Sequence, residues 1–139
     1  MSTLLDTGPL VAYLNRREHT RHPWAKRVFA QRPAPFYTCE AVLCESAHLL
    51  KREQGGRARF RAFLNRAALD VSFSWSTHRR RVADLMETYA DTPMDFADAC
   101  LVALYETQPS EAQVLTTDDD FRVYRTAGGE ALDVLMPPA

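Results

Sequence analysis

Short apolar runs alternate with helix-period stretches along the whole chain, and this alternation constrains the fold more than any other feature. Thr3 to Leu5 is a short apolar start that ends at Asp6. Gly8-Pro9 opens a helix-like stretch through Leu14, with Pro9 at the first helical position, where its missing N–H removes no bond. A second helix is predicted from Pro23, with Trp24, Val28 and Phe29 spaced to share a face, and Pro33 and Pro35 end it. Phe36-Tyr37-Thr38 reads as a strand, and a helix follows from Glu40 to about Glu53, stopped by Gly55-Gly56. A basic amphipathic helix comes next, with Phe60, Phe63, Leu64 and Ala67 inward and Arg57, Arg59, Arg61 and Arg66 on other faces. Asp70 to Trp75 alternates Val71 and Phe73 with polar residues, the pattern of a strand. Val82, Leu85, Met86 and Tyr89 predict a further helix, and Thr92-Pro93 introduces the next, with Phe96, Ala99, Cys100 and Ala103 on its buried side. Val114-Leu115-Thr116 and Leu132-Asp133-Val134-Leu135 are strands. Strands alternating with helices argue for an α/β fold, a parallel sheet covered on both faces.

The length of 139 residues fits one domain spanning the whole chain. A chain of this size buries enough surface to fold without a disulfide or structural metal. Apolar residues make up 46% and charged residues 25%, which argues against wholesale disorder. No apolar run is long enough to span a bilayer, and the start Met1-Ser2-Thr3-Leu4-Leu5-Asp6 lacks the basic region of a signal peptide. Cys39, Cys44 and Cys100 form no C-x-x-C, and the four histidines fall at no zinc spacing. Reduced thiols and a cytoplasmic location are the expectation.

The net charge of −1 hides an asymmetry. Met1 to Arg81 carries 15 Lys+Arg against 6 Asp+Glu, whereas Val82 to Ala139 carries 2 against 12. Only Lys26 and Lys51 are lysines; the other basic residues are arginines, whose planar fork suits phosphate. A basic half of this kind marks an anionic partner or, more plainly, a solvated arginine-rich surface.

Four acids sit where solubility explains them poorly. Asp6 directly follows the first strand and Asp118 directly follows the Val114 strand, in Thr116-Thr117-Asp118-Asp119-Asp120-Phe121. Glu45 lies inside an apolar helix, with Ala41, Val42, His48 and Leu49 at helical spacing. Asp98 lies near the start of an apolar helix, in Met94-Asp95-Phe96-Ala97-Asp98-Ala99-Cys100. In an open parallel sheet, ligands bind beyond the carboxyl ends of the strands, where chain order puts Asp6 and Asp118. Like charges brought together there raise one another's pKa and oppose folding. A hard divalent cation, Mg²⁺ or Mn²⁺, removes that conflict with oxygen ligands, and its bound water and charge serve phosphodiester hydrolysis. Each acid also has a plainer explanation. Asp6 can cap the helix after it, Glu45 can reach solvent, and Asp118 to Asp120 can be a capping turn. If Thr92 is the cap of its helix, Asp95 is the N3 partner of a capping box; if Asp95 is the cap, Asp98 occupies N3. Either way Asp95 is taken as structural. The constellation is stronger than its members, because four plain explanations must hold at once.

These motifs resemble the PIN-domain family, and within it the VapC-type toxins of toxin–antitoxin pairs, over almost the whole chain and in the family's order. Leu4-Leu5-Asp6-Thr7-Gly8-Pro9-Leu10-Val11-Ala12 is similar to the family's first motif, which implies Asp6 as its first acid. Glu45 matches the acid of the family's apolar helix. Pro93-Met94-Asp95-Phe96-Ala97-Asp98-Ala99 resembles the third motif, with Asp98 as its acid. Thr116-Thr117-Asp118-Asp119-Asp120-Phe121 resembles the fourth, with Asp118 as its acid and Thr116 and Asp120 in support. The resemblance implies a three-layer α/β/α sandwich with a central parallel sheet, a Mg²⁺- or Mn²⁺-dependent endoribonuclease, a homodimer, and a cognate antitoxin that covers the site.

On that reading Asp6, Asp98 and Asp118 ligate metal, Glu45 ligates it or holds a metal-bound water, and Thr7 and Thr116 fix carboxylate rotamers by hydrogen bonds. Arginines 52, 57, 59, 61, 79, 80, 81, 122 and 125 are candidates for an RNA phosphate track, Arg122 and Arg125 among them nearest to the fourth motif. Trp24, Phe60, Phe63 and Trp75 could stack bases, although their spacing favours the core, and Leu14, Trp24 and Phe29 suit a partner groove or the core. Two other classes stay open on the sequence: a catalytically silent RNA- or antitoxin-binding module, and another metal-dependent phosphohydrolase or DNA nuclease.

Overall fold

The computed structural model describes residues 1–66 and 69–139. Its strands are β1 (Thr3–Leu5), β2 (Phe36–Tyr37), β3 (Leu69–Asp70), β4 (Gln113–Leu115) and β5 (Val134–Leu135). Its helices are α1 (Thr7–Leu14), α2 (Arg21–Gln31), α3 (Glu40–Leu50), α4 (Gly56–Asn65), α5 (Trp75–Thr88) and α6 (Phe96–Glu106), with a short 3-10 turn at Asp119–Arg122. The five strands form one sheet in the order β3-β2-β1-β4-β5, and every pairing is parallel. The chain therefore builds outward from β1 to β3, then returns to lay β4 on the other side of β1. That reversal makes the gap between β1 and β4 the switch point of the sheet, where a crevice opens beyond the strand ends.

Residues alternate between the two faces as a strand period of two requires. Leu4 and Val114 point into one core, with Val82 and Leu85 of α5 and the buried run Ala97 to Leu104 of α6. Leu5 and Leu115 point into the other, with Leu10, Trp24, Val28 and Phe63. Helices thus close both faces, and the fold is the expected three-layer α/β/α sandwich. Among the described residues no helix is long and apolar enough to cross a membrane.

Several elements depart from the sequence reading, each for a local reason. The strand predicted over 70–75 stops at Asp70, because the Asp70 carboxylate accepts a hydrogen bond from the Ser72 N–H and turns the chain. Ser74 then caps α5 by accepting from the Thr77 N–H, so Trp75 begins a helix instead of ending a strand. Pro9 is the third residue of α1 rather than the first, and α2 begins at Arg21, two residues before Pro23. Leu64, Met86 and Phe96, expected inside, are exposed. Trp24, Leu14 and Phe63 are core residues, which removes them as base-stacking or partner-groove candidates. Ala67 lies outside the described residues.

The turn between α3 and α4 is closed by the smallest possible side chain. A Cβ on Gly56 would stand 1.9 Å from the Leu50 carbonyl oxygen, which is backbone at the end of a packed helix and cannot step aside. Gly56→Ala should therefore destabilise the protein by about 2 kcal/mol or more and lower Tm by several degrees. Gly128→Ala, whose Cβ would meet nothing nearer than 3.8 Å, should leave thermal unfolding unchanged.

Candidate active site

The β1–β4 ladder runs one residue past β1, with the Asp6 N–H donating to the Leu115 carbonyl at 3.0 Å. This fixes the backbone of Asp6 at the mouth of the switch point. Its carboxylate Oδ2 accepts a 2.7 Å hydrogen bond from the Thr116 hydroxyl, which is wholly buried. The same hydroxyl oxygen accepts from the Asp118 N–H at 3.0 Å. One side chain thus holds the acid after β1 and the backbone of the acid after β4. Asp118 accepts in turn from the Asp120 N–H at 2.9 Å and caps the 3-10 turn, so it is both a capping residue and a rim acid.

Asp98 reaches the crevice from α6. Asp95 is the cap of that helix, accepting from the Asp98 N–H at 2.8 Å, which settles the two capping alternatives and leaves Asp98 at N3. The Asp98 carboxylate does not close a capping box. Its Oδ2 accepts instead from the Tyr124 hydroxyl at 2.8 Å, and both residues are buried. No sequence pattern singles out Tyr124. A buried tyrosine needs an acceptor for its hydroxyl, but nothing in its spacing says which one. Its ring is held edge-on against Phe121 and Tyr89, at 5.2 and 5.1 Å.

Glu45 projects from α3, half-buried. Thr7, the first residue of α1, lies near enough to favour its ionised form, yet the Thr7 hydroxyl makes no hydrogen bond and is buried without a partner. The expected pairing of threonines with carboxylates thus holds for Thr116 and not for Thr7. Gly8 explains how α1 comes so close to the fourth motif, because any Cβ there would meet the Thr117 hydroxyl at 2.0 Å.

The acids feel one another. Burial pushes the Asp6 pKa up to about 6 against the pull of the Thr116 hydrogen bond, and the charges of Asp118 and Glu45 add to the rise. Burial pushes Asp98 up to about 8 against the pull of Tyr124, and Asp6 and Asp95 add to the rise. Glu45 is raised by burial and by Asp95. Burial, together with the Asp98 carboxylate that it faces, holds the Tyr124 phenol protonated beyond its ordinary range. Among the described residues the one salt bridge, Arg81 with Glu106, lies on α5 and α6 and brings no cation to these acids.

The donor set therefore fits a hard divalent cation: oxygens alone, of one sign, beside an unpartnered buried hydroxyl. Among the described residues no three acidic, histidine or cysteine side chains converge tightly enough to enclose an ion. The acids lie near enough to raise one another's pKa without converging on one point.

The arginines divide. Arg81 makes two 2.8 Å bonds to Glu106, and Arg59 donates to the Leu14 carbonyl, so both serve the fold. Arg125 folds one guanidinium nitrogen onto the carbonyls of Arg122, Val123 and Tyr124. Arg57 and Arg61 line a cavity of about 580 Å³ with His48, Lys51 and Phe60. Arg52, Arg79, Arg80 and Arg122 are exposed and form no salt bridge among the described residues.

The raised carboxylates carry a pH signature. The stability they contribute is fully present below the unfolded-state pKa near 4, and it is lost as pH rises through about 6 for Asp6 and about 8 for Asp98. In EDTA, Asp98→Asn should unfold at nearly the wild-type temperature at about pH 4, and several degrees above it at about pH 8. Mg²⁺ or Mn²⁺ should raise the wild-type Tm at the higher pH and move the variant much less, as thermal scans in both buffers would show.

The family described as PIN domain matches residues 3–127. No curated protein matches the chain significantly. Among solved structures, the Mycobacterium tuberculosis VapC20, a sarcin–ricin-loop-cleaving toxin, superposes with a TM-score of 0.75 at 22% identity, covering 88% of this chain and 94% of that one. A toxin–antitoxin complex from Klebsiella pneumoniae superposes with a TM-score of 0.69 at 20% identity, covering 99% of this chain and 98% of that one. At these identities the two likenesses speak to the fold alone. The family match covers nine-tenths of the sequence and includes every acid of the crevice: the chain belongs to the PIN-domain family.

Proposed function

We infer that this protein is a metal-dependent endoribonuclease that hydrolyses RNA phosphodiester bonds, and that it is the toxin of a toxin–antitoxin pair. The observation that carries the reading is the set of acids gathered at the switch point, two of them buried and held by neutral hydroxyl donors where cationic partners would be expected. A chain that needed these residues only for stability would not bury Asp6 and Asp98 beside other acids at such expense to their ionisation. Membership of the PIN-domain family and a fold shared with a sarcin–ricin-loop-cleaving toxin point to a nuclease. The fold shared with a toxin–antitoxin complex supports an antitoxin partner.

Asp6, Asp98 and Asp118 would hold Mg²⁺ or Mn²⁺, and Glu45 would hold it or a water beside it. When bound, such an ion orients the phosphate, lowers the pKa of a water and stabilises the leaving oxygen. The chain's own task is positioning. Thr116 fixes the Asp6 rotamer and the Asp118 backbone together, and Tyr124 aims Asp98 from the opposite side. Thr7 offers a buried hydroxyl beside Glu45 that can hold a water in place. Asp120, half-buried and raised by burial and by Asp118, supports the rim, as Asp95 does by capping α6. Exposed arginines, Arg122 among them, would draw the RNA backbone to the crevice. The protein would act in the cytoplasm as a homodimer until its antitoxin covers the site.

The test is cleavage of a mixed RNA pool and matched DNA oligomers in Mg²⁺, Mn²⁺ or EDTA. RNA should be cut only with metal, and Asp6→Ala or Asp98→Asn should lower the rate by roughly 100-fold or more. Undiminished cutting by Asp98→Asn would sink the assignment. Thr116→Val and Tyr124→Phe leave every proposed ligand in place and remove only its orientation. Each should reduce the rate by about 10–100-fold, read as kcat on the same RNA.

A further inference from the structure

Two large aromatic side chains lie open to solvent beside the first turn of α6, the turn that carries Asp98. Trp75 is 51% exposed and Phe96 is 46% exposed, although tryptophan and phenylalanine are usually interior in a chain this size. Their rings are 5.7 Å apart and tilted by 55°, so they form one continuous apolar surface. Each is the first residue of its helix, Trp75 of α5 and Phe96 of α6, and the two helices pack on each other. Phe96 follows the cap Asp95, precedes Asp98 by two residues, and shares a cavity of about 760 Å³ with Glu45 and Asp95. On the other side, Trp75 lines a shallow depression with Arg79 and Arg80. Both arginines are exposed and without a salt bridge among the described residues.

Flat π-faces, with guanidinium groups free of salt bridges on one side and a cavity lined by Glu45 and Asp95 on the other, form a sequence of features with one chemistry in common. A single-stranded polynucleotide offers bases to the rings and phosphates to the arginines, at alternating positions along its length. A second copy of this chain seated on the same rings would cover the mouth of the cavity that Glu45 and Asp95 line.

We propose that Trp75 and Phe96 form a base-stacking platform for single-stranded RNA, with Arg79 and Arg80 holding the adjoining backbone, so that a nucleotide flanking the cleaved bond is read by its base. The proposal rests on the ribonuclease reading above but is tested by binding. The experiment uses Asp98→Asn protein, which retains the platform, and measures fluorescence anisotropy of a short labelled single-stranded RNA and of an abasic strand of the same length. Trp75→Ala and Phe96→Ala should each weaken binding of the base-bearing RNA by roughly tenfold and leave the abasic strand unaffected. Trp75→Phe should restore most of the loss. Arg79→Glu with Arg80→Glu should weaken both strands and flatten the salt dependence of binding, which a structural role would not do. Leu64→Ala, another exposed apolar residue, serves as the control and should change nothing.

Equal binding by wild-type and platform variants, or equal losses on base-bearing and abasic strands, would overturn the proposal. So would a fall from dimer to monomer on Trp75→Ala, measured by sedimentation, because the rings would then be a contact between copies. In the otherwise wild-type background, the platform variants should raise KM for RNA with little change in kcat. The two readings fail separately. The expected binding pattern in a protein that cleaves no RNA would sink the nuclease and keep the platform. Metal-dependent cleavage with no effect of Trp75 or Phe96 on binding or KM would do the reverse.

Discussion

A single hydroxyl, that of Thr116, organises the centre of this molecule. It donates to the Asp6 carboxylate and accepts from the Asp118 backbone, so the ends of β1 and β4 are joined where the sheet reverses its strand order. The parallel ladder brings the two strand ends alongside, but a ladder cannot aim a side chain. A neutral donor at this point tolerates the acid without neutralising it. A lysine there would satisfy Asp6 fully and fill the space between the acids. The choice of threonine over a cation leaves no fixed positive charge beside Asp6, and Tyr124 makes the same choice for Asp98.

The rest of the fold absorbs the consequence. Two cores flank the sheet, and α6, buried along nearly its whole length, adds to the apolar reserve of one of them. That reserve is what allows buried carboxylates to stand near one another with raised pKa values. Stability and site are in tension along α6 in particular, where the helix that packs most deeply also delivers Asp98 through its first turn.

Chain order alone made much of this legible. Asp6 follows one apolar run directly and Asp118 follows another after two threonines, and in a parallel sheet that is enough to place them at one edge. Asp98 was legible as an acid in an apolar helix, but whether Asp95 or Thr92 capped that helix depended on a backbone turn with no distinctive residue pattern. Tyr124 could not be found, because its partner lies 26 residues away and packing alone brings them together. The strand expected over 70–75 failed for a different reason. Its alternation of apolar and polar residues was real, but an Asx turn at Asp70 and a serine cap at Ser74 acted locally and prevailed. Trp75 and Phe96 show the limit of hydrophobic periodicity, which counts apolar residues and cannot see which face a helix turns to its neighbour.

The bond between Thr116 and Asp6 joins residues 110 positions apart. The acids are local features of the chain, but their aim belongs to the assembled sheet. When β1 and β4 part, Asp6 loses the hydroxyl that orients it; when the segment after β4 lifts, Asp98 loses the phenol 26 residues away. Opening the sheet at this one seam therefore disarranges the site while every acid stays in its own helix or strand end.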